Sequence, residues 1–159
     1  MEKAIQDSYS DEVSVCYGCG RLNQHGLQIK SYWDGDEVVC RFQPEAYHTA
    51  VAGFVYGGLI ASLIDCHSTG TASAAAYREA GREPGTEPRL RFVTASLFVE
   101  YLKPTPISDP IVIRAAVTEV NGRRATVSSD LYAKDALCAR GKVVVSHMPE
   151  KWLQRLRSG

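Results

Sequence analysis

The chain has 159 residues, 45% of them hydrophobic and 23% charged, which supplies apolar material for one packed domain and excludes wholesale disorder. Its 18 basic residues balance 18 acidic ones, so no overall field draws it to nucleic acid, and an anionic ligand must be met by a local cluster. No apolar run reaches the ~18 residues of a membrane span, and the opening MEKAIQDSYSDE is polar and acidic, unlike a secretory signal. The expected location is the cytoplasm, with the five cysteines reduced.

Residues 1–15 lack apolar periodicity and read as a flexible arm, with the domain expected over 16–148 and a short helix or tail over 149–159. CYGCGRLNQHGL, from Cys16, reads as a loop. LQIKSYW and EVVCRFQ flank DGD and alternate in polarity, which predicts a hairpin over about 27–43. After the loop PEAYHTAVAGFVY, Leu59, Ile60, Leu63 and Ile64 recur at helical spacing from Gly57 to about Ala80, and Gly81 is a natural stop. Four strand-like runs follow, over 89–103, 110–120, 123–135 and 136–148, with Asn121-Gly122 as a hairpin signal between the second and third. Two strands, one long helix and four strands describe an α+β fold, an antiparallel sheet wrapped around a single helix.

The long helix carries an acid among small residues. At 3.6 residues per turn, Gly58, Ala61, Asp65, Ser68 or Thr69, and Ala72 share one stripe, so Asp65 is expected in a crevice rather than on an open polar face. An ordinary surface acid is the alternative for this residue taken alone. Gly57 and Gly58 open the helix, where N–H groups lack intrahelical partners and the dipole is positive. Such an amide can donate to a carbonyl oxygen gaining charge during acyl transfer, although a Gly-Gly pair also simply eases a tight helix entry. Eight residues separate Gly57 from Asp65, roughly 12 Å of helix, too far to touch one carbonyl. If both act on one substrate, the acid must come from a second copy of the chain.

Other constellations are weaker. Cys16-x-x-Cys19 lacks the second ligand pair that a zinc site wants, although His25 is near in sequence, and a redox dithiol more often opens a helix; a structural loop is the favoured reading, with no metal expected. Cys66 and His67 are helix neighbours pointing about 100° apart, which opposes a Cys–His nucleophile and assigns Cys66 to the core. His25, His67 and His147 have no ligand spacing, and Trp33 and Trp152 read as packing or surface residues.

The segments YGGLIASLIDCHSTG, HTAVAGFVYGG and VTASLFVEYLKPTP resemble the acyl-CoA thioesterases of the hotdog-fold superfamily, in the PaaI-like and THEM4-like branch, and CYGCG resembles an N-terminal stretch of many of these relatives. The resemblance covers roughly residues 16–146. It implies a hotdog fold, dimerised through the sheets and often paired again into tetramers, an acyl-CoA substrate and no cofactor. It further implies that the Gly57 N–H polarises the thioester carbonyl, that Asp65 of the partner subunit is general base or nucleophile, and that Thr94 positions the attacking water. The chain departs from the family pattern at Tyr56, where His is usual, and at Ala50, where Asn is common. Tyr56 retains a hydroxyl donor and Ala50 has none, with His48 near enough in sequence to compensate.

For the phosphates of CoA the candidates are Arg91, Arg123 and Arg124, alongside Arg89, Lys103, Arg140 and Lys142; Gly58 and His48 complete the expected binding residues. Tyr47, Phe54, Tyr77 and Phe98 are candidates for an acyl pocket. The leading expectation is acyl-CoA hydrolysis. The alternative is a catalytically silent acyl-CoA binding or sensing protein, and a third reading is a hydratase with His48 or His67 as base.

Overall fold

The computed structural model describes residues 3–158; Met1, Glu2 and Gly159 lie outside the described residues. Strands β1 (Ser31–Asp34) and β2 (Glu37–Phe42) precede the helix α1 (Gly57–Glu79), and β3 (Phe92–Tyr101), β4 (Ile111–Asn121), β5 (Arg124–Ala133) and β6 (Ala136–His147) follow it. A second helix, α2 (Glu150–Ser158), ends the described chain. The six strands form one antiparallel sheet in the order β1-β2-β4-β5-β6-β3, and α1 packs against it. This is the expected α+β arrangement of sheet around helix.

Alternation sets the sheet's inner face. Ile111, Ile113 and Ala115 of β4 and Ala125, Val127, Leu131 and Ala133 of β5 are buried at every second position, as a half-buried strand requires. Against them α1 lays Leu59, Ile60, Leu63 and Ile64, and each such aliphatic side chain contributes about 1.5–3 kcal/mol when fully buried. The helix comes close to the sheet at Gly141 of β6, where an added Cβ would stand 2.4 Å from Cγ2 of Ile64. Only glycine lets the helix lie this low.

Turn chemistry matches the hairpins. Gly35 and Gly122 each take the first central position of a two-residue loop, at φ +64° and +57°, the geometry of a type II′ turn. The turn after Asn121 is therefore Gly122-Arg123, one residue later than the Asn-Gly signal suggested. Gly81, at φ +61°, ends α1 where expected.

Two expectations are corrected. The first strand begins at Ser31, not near Leu27, because the N–H groups of Leu27 and Ile29 bond instead to the carbonyls of Tyr17 and Gly18 in the cysteine loop. The arm is not loose over its described residues. It makes 3₁₀ turns at Ile5–Ser8 and Asp11–Val13, and Ala4, Ile5, Gln6, Tyr9 and Ser14 are buried. Gln6 donates from Nε2 to Ser31 Oγ at 2.9 Å and accepts from Ser31 N at 2.8 Å. The arm has too few apolar residues to show a period, yet Ala4, Ile5 and Tyr9 find places in the core.

Candidate active site on the open face of the long helix

Helix α1 has one face away from the sheet, where Gly58, Ala61, Ser62, Asp65, Cys66 and Thr69 are half-buried. Asp65 therefore lies on the small-residue stripe as expected, whereas Ser68 belongs to the sheet side and bonds Ser129 Oγ at 2.8 Å. Strand β3 runs beside the open face. Its register slips between Thr94 and Ser96 against β6, and a bulge of this kind re-aims side chains. Thr94 Oγ1 donates to Asp65 Oδ1. That bond leaves the hydroxyl's lone pairs free to accept from a water.

At the start of α1, Tyr56 is the N-cap residue and its own N–H donates to the His48 carbonyl at 2.9 Å. The N–H groups of Gly57 and Gly58 donate to no group among the described residues. The Gly57 carbonyl accepts from the Tyr101 hydroxyl at 2.8 Å, so the far end of β3 fixes the first turn. The Tyr56 ring lies against Gly58, where a Cβ would meet it at 2.3 Å. His48 is held by its own loop: Nδ1 accepts from the Glu45 N–H at 3.0 Å, and the ring packs edge-on against Tyr47.

Within one chain, then, two half-sites stand apart on the same helix. One is an acid with a hydroxyl beside it; the other is a pair of unpartnered amides at a helix N-terminus. Roughly 12 Å of helix lies between them.

Three comparisons relate the chain to known proteins. Residues 52–139, more than half of the chain, match the model of the thioesterase superfamily. Acyl-coenzyme A thioesterase 13 of Homo sapiens is 32% identical over 117 residues, covering 74% of this chain and 73% of that protein. The chain belongs to the thioesterase superfamily. Acyl-coenzyme A thioesterase THEM4 of Rattus norvegicus is 31% identical over 112 residues, which cover 69% of this chain but 43% of THEM4, so the chain spans less than half of that relative. The solved thioesterase superfamily protein of Shewanella loihica PV-4 is 44% identical with a TM-score of 0.68, covering 91% of this chain and 99% of that one. The hotdog fold expected from the resemblance is the fold of this thioesterase superfamily member.

The expected cation cluster divides. The Arg91 guanidinium lies 3.4 Å over the ring of Tyr9 inside the packed arm, not at an open rim. Arg89 is paired with Glu87 at 2.9 Å and Arg140 with Asp130 at 3.0 Å. Arg123 and Arg124, in contrast, edge an open groove of about 680 Å³ between the later turns of α1 and the β4–β5 hairpin, with Ala72, Ala76, Phe92 and Val117 on its walls. Neither makes an ion pair among the described residues. Among the acyl-pocket candidates, Tyr47, Phe54 and Phe98 are exposed, and Tyr77 is buried, donating to the Thr86 carbonyl.

His67 is no base. It is fully buried, with Nε2 against the Val38 carbonyl at 3.0 Å and Nδ1 against Ser31 Oγ at 2.9 Å, and burial pushes its pKa down to about 4. The hydratase reading thereby loses one of its two histidines. Sequence reasoning missed Tyr101 and the third thiol of the cysteine loop's surroundings. Tyr101 lay within a recognised strand, 44 residues from Gly57, and only the register of β3 along α1 brings the two together.

Proposed function

We propose that this thioesterase superfamily member hydrolyses an acyl-CoA thioester to the free acid and CoA. The observation that carries this reading is the Thr94–Asp65 hydrogen bond on the open face of α1. It supplies a carboxylate with an adjacent water acceptor, while the same helix begins with N–H groups that have no partner. The names of the relatives, acyl-coenzyme A thioesterases 13 and THEM4, support the substrate class.

In the proposed reaction the thioester carbonyl lies against the Gly57 N–H. A water held by Thr94 attacks the carbonyl carbon as Asp65 takes its proton, the oxyanion forms against the amide, and the C–S bond breaks to release CoA. Attack by the Asp65 carboxylate itself, followed by hydrolysis of the anhydride, uses the same placement. Because one helix holds the half-sites too far apart, Asp65 and Thr94 of one protomer face the partner subunit's Gly57 in a two-fold homodimer. Strand β3 suits that assembly: it ends the sheet and exposes Leu97, Phe98 and Tyr101. Arg123 and Arg124 receive the phosphates of CoA.

The test is thiol release from a panel of short, medium, long and aryl acyl-CoAs, beside Asp65→Asn. The expected result is turnover by the unaltered protein and a loss of about 10²–10⁴-fold in the variant. Saturable acyl-CoA binding without turnover is the result that instead favours a silent binding or sensing protein, a reading supported by the Tyr56 ring lying against the helix start.

A further inference from the structure

A cluster of three thiols lies outside this site. Cys16 and Cys19 come from the glycine-rich loop and Cys66 from the middle of α1, and their three Sγ atoms all lie within 4.8 Å of one another. The Sγ atoms of Cys16 and Cys66 are 3.7 Å apart. Sulfurs held at about 2.3 Å around a tetrahedral zinc ion are separated by about 3.8 Å, so the widest gap has to close by no more than about 1 Å.

The loop is shaped to present these sulfurs. Gly18 lies so close under the helix that a Cβ there would stand 2.3 Å from Cys66 Sγ, and a Cβ on Gly20 would stand 2.4 Å from the Ser14 carbonyl oxygen. Gly20 N donates to the Cys16 carbonyl at 2.8 Å and closes the turn. Neither glycine can be replaced without opening the pocket that holds the three sulfurs. Charge is also balanced: three thiolates and Zn²⁺ sum to −1, and the Arg91 cation acts on Cys19 from nearby with its buried Nε lacking a partner.

We propose that Cys16, Cys19 and Cys66 bind one zinc ion, leaving its fourth position open. On binding, three thiols give their protons to solvent and three Zn–S bonds form, with no change of oxidation state. The site ties the cysteine loop to the helix residue that follows Asp65. The spacing Cys-x-x-Cys lacks its remaining ligand in sequence because that ligand lies 50 residues away from Cys16, on a helix whose cysteine reads as core.

The experiment is metal analysis of the full chain after equilibration with zinc under reducing conditions, with cobalt(II) as a spectroscopic substitute. About one zinc per chain is expected, together with the thiolate-to-metal charge-transfer band and intense visible bands of four-coordinate cobalt. Cys16→Ser and Cys66→Ser should each weaken zinc binding at least tenfold, whereas Cys40→Ser, a buried cysteine outside the cluster, should retain it. If the serine variants do not fold, the unaltered chain still decides the matter, since zinc should slow the reaction of Cys16 and Cys66, the two half-buried thiols, with a thiol reagent. A chain that binds no zinc, that binds it equally well without Cys16, or that joins two of the three sulfurs in a disulfide under the same conditions overturns the site.

Discussion

His67 sits at the centre of a buried chain of hydrogen bonds that runs from the Val38 carbonyl through the imidazole to Ser31 and Gln6. In the folded state it takes up a proton only near pH 4, against 6.5 for an ordinary histidine, so between those values the unfolded chain binds more protons. Acid therefore favours unfolding in that window. The His67 contribution, about 3 kcal/mol from the size of the shift, is complete above pH 6.5 and declines as pH falls towards 4. Urea titrations at pH 7 and pH 4.5 should show that decline, and His67→Gln should flatten it. At Thr94 the hydroxyl, not the methyl, carries the proposed role: Thr94→Ser should keep kcat within a few-fold, and Thr94→Ala should lower it by up to about 10²-fold. Equal rates for the two variants would remove Thr94 from the mechanism. Asp65 was legible because one acid interrupts a run of small residues. Its hydroxyl partner was not legible from the residues themselves, since nothing in a strand's own pattern announces a bulge, and Thr94 came only through the family resemblance.

Among the elements, α1 and β6 meet tightly at one position. Gly141→Ala drives a methyl group against Ile64, a side chain with no exposed surface, and overpacking of this kind costs about 1–3 kcal/mol. Ile64→Ala, which removes Cγ2, should be less harmful in the Gly141→Ala background than in the parent. Chemical denaturation of the four proteins measures that coupling, and strict additivity contradicts a shared space. Local signals served well at this scale. Leu59, Ile60, Leu63 and Ile64 with Gly81 located the helix, and alternation with positive-φ glycines located the hairpins. They failed where pairing is long-range: Leu27 and Ile29 alternate like a strand yet bond to the cysteine loop, and the arm's few apolar residues have partners that appear only after the sheet is built.

For the whole molecule, the sheet has two ends of different character. β1 is four residues long, whereas β3 is ten residues long, exposes Phe98, and pairs only with β6 among the described residues. Long open edges of this type invite another strand. The protein is therefore expected to sediment as a dimer or a pair of dimers, and Phe98→Lys to shift it towards monomer with a parallel loss of thiol release. A monomeric parent with full turnover contradicts the shared site.

The docked arm also sets an order of events during synthesis. Tyr9 lies under Arg91, Glu12 meets Arg89 at 3.7 Å, and Ser8 lies against Gly85. Residues 4–14 thus leave the ribosome well before the segment that covers them, and at ordinary elongation rates they wait several seconds with Ile5 and Tyr9 uncovered. The arm must wait for a segment made much later than itself, so slowing translation between the arm and residue 91 lengthens the interval in which nascent chains can capture one another.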